Sequence, residues 1–134
     1  MRAVIDTNVL FEGLTVLGAC SEVVDAWVSG RLTACVSTSL ALEYEEVRES
    51  KLKRKKRELA LEALPALLGR AEYVPIYIRV RPMSPDPDDD FVIECAVNAR
   101  AVVVTRNRRD LIVAQRTLGI AVHDPESFIE LLGG

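Results

Sequence analysis

Three acidic residues lie where an ordinary globular sequence would place none. The stretch "AVIDTNVLF" begins at Ala3 as a buried apolar run and stops on Asp6. A carboxylate at the carboxyl end of a buried strand is costly unless something holds it. In the helical pattern that follows position 37, Leu40, Glu43 and Val47 fall at i, i+3 and i+7, with Tyr44 beside them. Glu43 therefore shares the apolar stripe, whereas Glu45, Glu46 and Glu49 occupy other rows. In "SPDPDDDFVIECA", Asp89 precedes Ile93 and Ala96 by four and seven residues on a helix apolar almost all round, so it points toward the core side. A fourth group follows the apolar run "AVVVT": Thr105, then Asn107 and Asp110.

Taken singly, each has a plain structural explanation. Glu43 could sit at the edge of its stripe, paired with an arginine. Asp86, Asp88 and Asp90 suit the start of a helix, where carboxylates satisfy free N–H groups and the helix dipole. Asn107 is a candidate N-cap, with Asp110 three residues on as in a capping arrangement. Taken together, Asp6, Glu43, Asp89 and the Asn107/Asp110 pair would converge on one rim of a sheet. Carboxylates that close repel one another and raise one another's pKa, and a divalent oxygen-loving cation removes the conflict. A cluster without Cys or His favours Mg²⁺ or Mn²⁺ over Zn²⁺. Such ions retain water, activate it as a nucleophile and stabilise charge in a displacement at phosphorus.

The elements that must position these groups alternate. Strands are expected at 3–7, 33–37, 101–105 and 120–123, with an extended segment at 73–80 that Pro75 confines to an edge. Helices are expected from Gly18 to Gly30, with Val23, Val24, Trp27 and Val28 inward, and over 38–50, 53–68, 89–100, 109–118 and 125–132. This βαβα order implies an α/β fold with a mainly parallel sheet covered by helices on both faces. Ligands in such folds bind beyond the carboxyl ends of the strands, which is where Asp6 and Thr105–Asn107 fall.

Composition narrows the function. The 134 residues suit one domain, 1–134, with a real core and no internal repeat or linker. A formal charge of −3 provides no global positive field and argues against a sequence-reading DNA binder, though not against an enzyme with its acidic residues concentrated in one place. No apolar run is long enough to span a bilayer, and no secretory signal opens the chain. Cys20, Cys35 and Cys95 are isolated and odd in number, the usage of reduced core thiols in a cytoplasmic protein. His123 is the sole histidine, so two-histidine acid–base catalysis is unavailable.

"VIDTNVL", "STSLALEYEEV", "DPDDDFVIECA", "VVVTRNRRDL" and the closing "PESFIELL" together resemble a PIN-domain protein, most closely the toxin components of toxin–antitoxin systems related to VapC-type ribonucleases. The resemblance covers essentially the whole chain. It implies a three-layer α/β/α fold, cytoplasmic metal-dependent endoribonuclease activity, an antitoxin partner and a homodimer. It matches the family's metal-holding acidic residues to Asp6, Glu43 and Asp89. It matches Asn8 to a polar residue that orients the first carboxylate, and Thr105 to the start of the fourth motif. Where many members carry Thr-Gly-Asp, this chain has Thr105-Arg106-Asn107, with Asp110 downstream, so one carboxylate is an amide and a second metal ion is put in doubt.

Arg106, Arg108 and Arg109 lie beside the proposed metal site and suit phosphate, which arginine grips through a bidentate fork. "KLKRKKR" at 51–57 reads either as a solvated helix start or as a phosphate- or partner-contacting surface. Besides a nuclease, the residues admit a catalytically weak PIN domain acting as an RNA-binding or protein-interaction module, which Asn107 favours. A receiver-like domain would need a lysine at the end of its last strand, and "IAVHDPE" has none.

Overall fold

The computed structural model describes the backbone of residues 1–80 and 87–133, and the side chains of 1–80 and 90–133. Among these residues a five-stranded, all-parallel sheet runs in the order β3-β2-β1-β4-β5. Its strands are β1 (Arg2–Ile5), β2 (Thr33–Val36), β3 (Glu72–Tyr73), β4 (Val102–Val104) and β5 (Val122–His123). The helices are α1 (Thr7–Gly13), α2 (Ala19–Ser29), α3 (Thr38–Ser50), α4 (Arg54–Gly69), α5 (Pro87–Ala99), α6 (Ile112–Leu118) and α7 (Pro125–Leu131), with a 3-10 turn over Arg108–Leu111. One helical layer groups α1, α2 and α7; the other groups α3, α4 and α5, with α5 lying across β1, β2 and β4. The fold is thus the expected three-layer α/β/α arrangement.

β1 and β4 are central because both of their faces are covered. Ala3, Val4, Ile5, Val103 and Val104 are wholly buried, as the near-continuous apolar runs of a doubly covered parallel sheet require. β3 lies at an edge, as Pro75 suggested, and it is shorter than the extended run 73–80. The rest of that run is held by side chains instead. Asn98 accepts from the Tyr77 and Ile78 N–H groups at 2.8 Å each, and Glu94 accepts from Val80 N–H at 3.2 Å.

Local signals located several boundaries well. Gly18 and Gly30 flank α2, and Gly30 takes the left-handed φ of +81° that a helix-ending glycine allows. Ser37 caps α3, accepting from Leu40 N–H at 3.1 Å. Other expectations need correction. The first strand ends at Ile5, and Asp6 and Thr7 start a helix, α1, that the alternation of apolar and polar residues concealed. Val28 is 48% exposed on α2, because α1 and α7 cover only the Val23–Val24–Trp27 side. The basic run 51–57, read as the start of a helix from about Lys53, spans the joint between α3, which ends at Ser50, and α4, which starts at Arg54.

Gly13 sets how closely α1 and α2 approach. A β-carbon there would come within 2.5 Å of Cys20 O and 2.6 Å of Val24 Cγ2, so only glycine permits this packing. No described helix is long and apolar enough to cross a membrane.

Candidate active site at the carboxyl rim of the sheet

β1 connects onward to β2 on one side, while β4 connects to β5 on the other. The crevice between the ends of β1 and β4 is therefore the topological switch point, where α/β sheets bind ligands. The residues that follow these strands are polar and buried. Apart from tyrosine, tryptophan and the thiols, the buried polar residues among those described are Asp6, Thr7, Ser37, Glu43 and Thr105. Asp6 and Thr7 follow β1, Ser37 follows β2, Thr105 follows β4, and Glu43 lies on the helix leaving β2. Buried polar groups are uncommon, and Ser37 is accounted for as the cap of α3, so Asp6, Glu43 and Thr105 make this rim the candidate site.

Asp6 is 5% exposed and sits at the N-cap of α1, but its carboxylate makes no capping bond to that helix. It instead accepts from the Thr105 hydroxyl at 2.7 Å. The Thr105 oxygen in turn accepts from the Asn107 backbone N–H at 2.9 Å. The Asp6 N–H continues the ladder to Val104 O at 2.9 Å, and Thr105 N–H reaches His123 O at 2.9 Å, so both backbones are fixed by the sheet. Asp6 is thus oriented by Thr105. Asn8 is exposed and lines the same cleft, with no hydrogen bond to the Asp6 carboxylate among the described contacts.

Glu43 is also 5% exposed and faces the same cleft. Its neighbour Tyr44 is wholly buried and donates its hydroxyl to Ile5 O, the last carbonyl of β1. That bond ties α3 to the end of β1, and Glu43, the residue before Tyr44, lines the cleft together with Asp6. Burial pushes the Tyr44 phenol well above its usual pKa, so it stays a donor at neutral pH.

The cleft encloses about 450 Å³ and is lined by residues of α1, its N-cap and the turn after it (Asp6, Thr7, Asn8, Phe11, Glu12, Val16) and by residues of α3, the joint after it and the start of α4 (Glu43, Val47, Lys51, Leu52, Lys56). Its polar donors include carboxylate, hydroxyl and amide oxygens, with no Cys or His, a set that suits a hard cation. Among the described residues no three His, Cys, Asp or Glu form a ready ligand cluster. Asp89, expected as the third carboxylate, has its side chain outside the described residues; its helix, α5, buries Ile93 and Ala96.

The remaining expected residues divide. Asn107 is exposed, and its side chain does not cap the 3-10 turn that it precedes; its contribution is the N–H held by Thr105. Asp110 is half-buried in that turn, its N–H bonded to Asn107 O at 3.1 Å. Neither lies among the described residues that line the cleft. Arg106 is engaged elsewhere: its guanidinium bonds Glu12 at 3.2 Å and Glu126 at 3.0 Å, joining α1 to α7. Arg108 stands 3.9 Å from Asp124, and Arg109 is exposed. Glu12, Lys51 and Lys56 line the cleft although no periodicity singled them out. For Glu12 the signal was present in hindsight, since Thr7-Asn8-Val9-Leu10-Phe11 after an Asp reads as a capped helix start.

None of the three thiols lines the cleft, although Cys20 is hydrogen-bonded to Glu12, which does. Cys20, Cys35 and Cys95 are free and buried, and burial pushes Cys20 up to about 11 and Cys95 to about 12.

Three comparisons bear on this geometry. No curated protein matches the chain. Solved structures that resemble it include chains of VapBC2 from Rickettsia felis bound to a DNA fragment from their promoter (15% identity, TM-score 0.63, covering 92% of this chain and 98% of that one). FitAcB from Neisseria gonorrhoeae is similar at 20% identity and a TM-score of 0.61, over 92% and 98% of the two chains. VapBC-1 from nontypeable Haemophilus influenzae is similar at 16% identity and a TM-score of 0.63, over 94% and 99%. At such identities the likeness is one of fold. The profile of the PIN domain matches residues 2–109, a span that includes the sheet from β1 to β4 and the rim with Asp6, Glu43 and Thr105. On that match the chain belongs to the PIN domain family.

Proposed function

We propose that the protein is a Mg²⁺- or Mn²⁺-dependent endoribonuclease, one PIN-like domain over 1–134, and the toxin of a bacterial toxin–antitoxin pair. The observation that carries the nuclease reading is the pair of buried carboxylates, Asp6 and Glu43, on one cleft at the switch point of the sheet. PIN domains are generally nucleases, which supports the same reading. The toxin role and an antitoxin partner draw support from the likeness to VapBC and FitAB chains, a homodimer rests on the family resemblance alone, and a cytoplasmic location accords with the reduced thiols.

In this reading Asp6, Glu43 and Asp89 hold the cation. When bound, the cation supplies Lewis-acid stabilisation of charge at phosphorus and lowers the pKa of water. The chain's own residues prepare the site. Thr105 donates to one Asp6 oxygen and so fixes the orientation of the carboxylate at the cleft. Tyr44 holds α3 so that Glu43 cannot retreat from the rim. Asn107 steadies the Thr105 oxygen through its N–H, while Asp110 and water are the candidates to replace the carboxylate that Asn107 lacks.

Purified protein should cleave single-stranded RNA with Mg²⁺ or Mn²⁺, stop on addition of EDTA, and lose cleavage in Glu43→Gln. Cleavage that survives both EDTA and Glu43→Gln would overturn the metal mechanism. The exposed amide at Asn107 favours one second reading, a catalytically silent module that binds RNA or protein. Its signature would be a wild type that is nearly inert and gains activity in Asn107→Asp.

A further inference from the structure

The basic run 51–57 is in an unfavourable place for a stabilising role. Lys53 is the N-cap of α4 and makes no side-chain capping bond, and the first turn of α4 has no acidic residue. Helix N-termini carry partial positive charge and prefer Asp or Glu, so Lys53, Arg54, Lys55 and Lys56 repel the helix they open. Local preference violated this consistently is a mark of function. Within the run the fold makes a selection. Lys51 and Lys56 line the cleft with Asp6 and Glu43, because the break between α3 and α4 turns these two toward it. The run's other cations, Lys53, Arg54, Lys55 and Arg57, are outside the cleft lining. Meanwhile Arg106, the arginine expected to grip phosphate, already bridges two glutamates.

The geometry assigns Lys51 and Lys56 as the subsite that holds the nucleic-acid backbone, gripping phosphates of a single strand next to the one aligned over Asp6 and Glu43. This rests on the nuclease reading and names its phosphate-binding wall. Acidic and basic side chains share this cleft: Lys51 and Lys56 line it with Asp6, Glu12 and Glu43, and the charge of Lys56 is felt at Glu12. A strand threaded along it presents one phosphate to the carboxylates, through their cation, and the next to the lysines. The ligand class is a phosphodiester chain.

The test uses the full chain in a Glu43→Gln background, with a short fluorescein-labelled single-stranded RNA in millimolar Mg²⁺. Affinity is measured across a salt series for this parent, for added Lys51→Gln/Lys56→Gln, and for added Lys53→Gln/Lys55→Gln. Each phosphate contact to a single strand contributes about 0.7 to the slope of log affinity on log salt, so the cleft pair should lower the slope by about 1.4 and the control pair should not. Mn²⁺ titration of Lys51→Gln/Lys56→Gln on the otherwise wild-type chain should give unchanged affinity. An unchanged slope, or an equal fall in the control pair, would overturn the assignment while leaving the nuclease reading intact. Altered Mn²⁺ affinity with an unchanged slope would make the lysines counter-ions of the carboxylates and would also overturn it. A parent that binds no RNA at all would remove both readings.

Discussion

The hydroxyl of Thr105 donates to Asp6 Oδ2 at 2.7 Å, joining the residue after β4 to the residue after β1 across 99 positions of sequence. The two strands are adjacent and parallel, with Ile5 opposite Val104, so the bond closes the crevice at its floor. A hydrogen bond to a charged acceptor is worth about 1.5–3 kcal/mol, and a buried carboxylate deprived of one loses that support. Thr105→Val should therefore destabilise the protein by about 2 kcal/mol in denaturant melts. It should also weaken Mn²⁺ binding in calorimetry, whereas Thr105→Ser should preserve both. Unchanged Mn²⁺ affinity in Thr105→Val would deny Thr105 its orienting role.

Glu43 gives a prediction of opposite sign. Two buried carboxylates on one cleft disfavour each other when no cation is bound. In metal-free buffer Glu43→Gln should be neutral or stabilising in melting temperature. Saturating Mn²⁺, at about a hundred times its Kd, should stabilise wild type by about 2.7 kcal/mol and the variant by clearly less. A variant that is much less stable without metal would make Glu43 a structural residue.

Gly13→Ala probes the packing that sets α1, and with it Asp6. The added carbon meets backbone at Cys20 O, which cannot swing aside as a side chain would. A loss of about 1–3 kcal/mol is expected, together with weakened Mn²⁺ binding as α1 shifts. Equal stability in urea titrations would show that α1 and α2 can separate freely.

Alkaline pH should unfold the protein through its buried acids. Tyr44, Cys20 and Cys95 all have pKa values raised by burial above their ordinary ones, about 11 for Cys20 and about 12 for Cys95. A raised folded pKa means that the unfolded chain gives up its proton first. The stabilisation is complete below the thiols' ordinary value near 9, and is lost as pH climbs through the folded values. Melting temperature should be flat across neutral pH and fall above about 9. Tyr44→Phe should leave a smaller further drop above pH 10, the ordinary value for tyrosine, at the cost of the Ile5 bond. A melting temperature unchanged up to pH 11 in wild type would contradict this.

The sequence by itself determined what depends on neighbours within a few turns. Helix α3 runs from Thr38 to Ser50 as read, because Ser37 caps it and Leu40, Glu43, Tyr44 and Val47 recur at helical spacing. That same spacing placed Glu43 on the buried side, and the alternation of elements implied the parallel sheet. The start of α1 was concealed, since seven residues are too few to display a 3.6-residue period against the strand before them. Tertiary structure alone decided which distant groups meet. Strand order set Thr105 beside Asp6, a relation no local pattern encodes. The joint between α3 and α4 sorted Lys51 and Lys56 from their equally basic neighbours, and the approach of α1 and α7 drew Arg106 away from phosphate into ion pairs with Glu12 and Glu126. Charge and period are properties of the chain, but the direction a charge faces depends on crossovers tens of residues away.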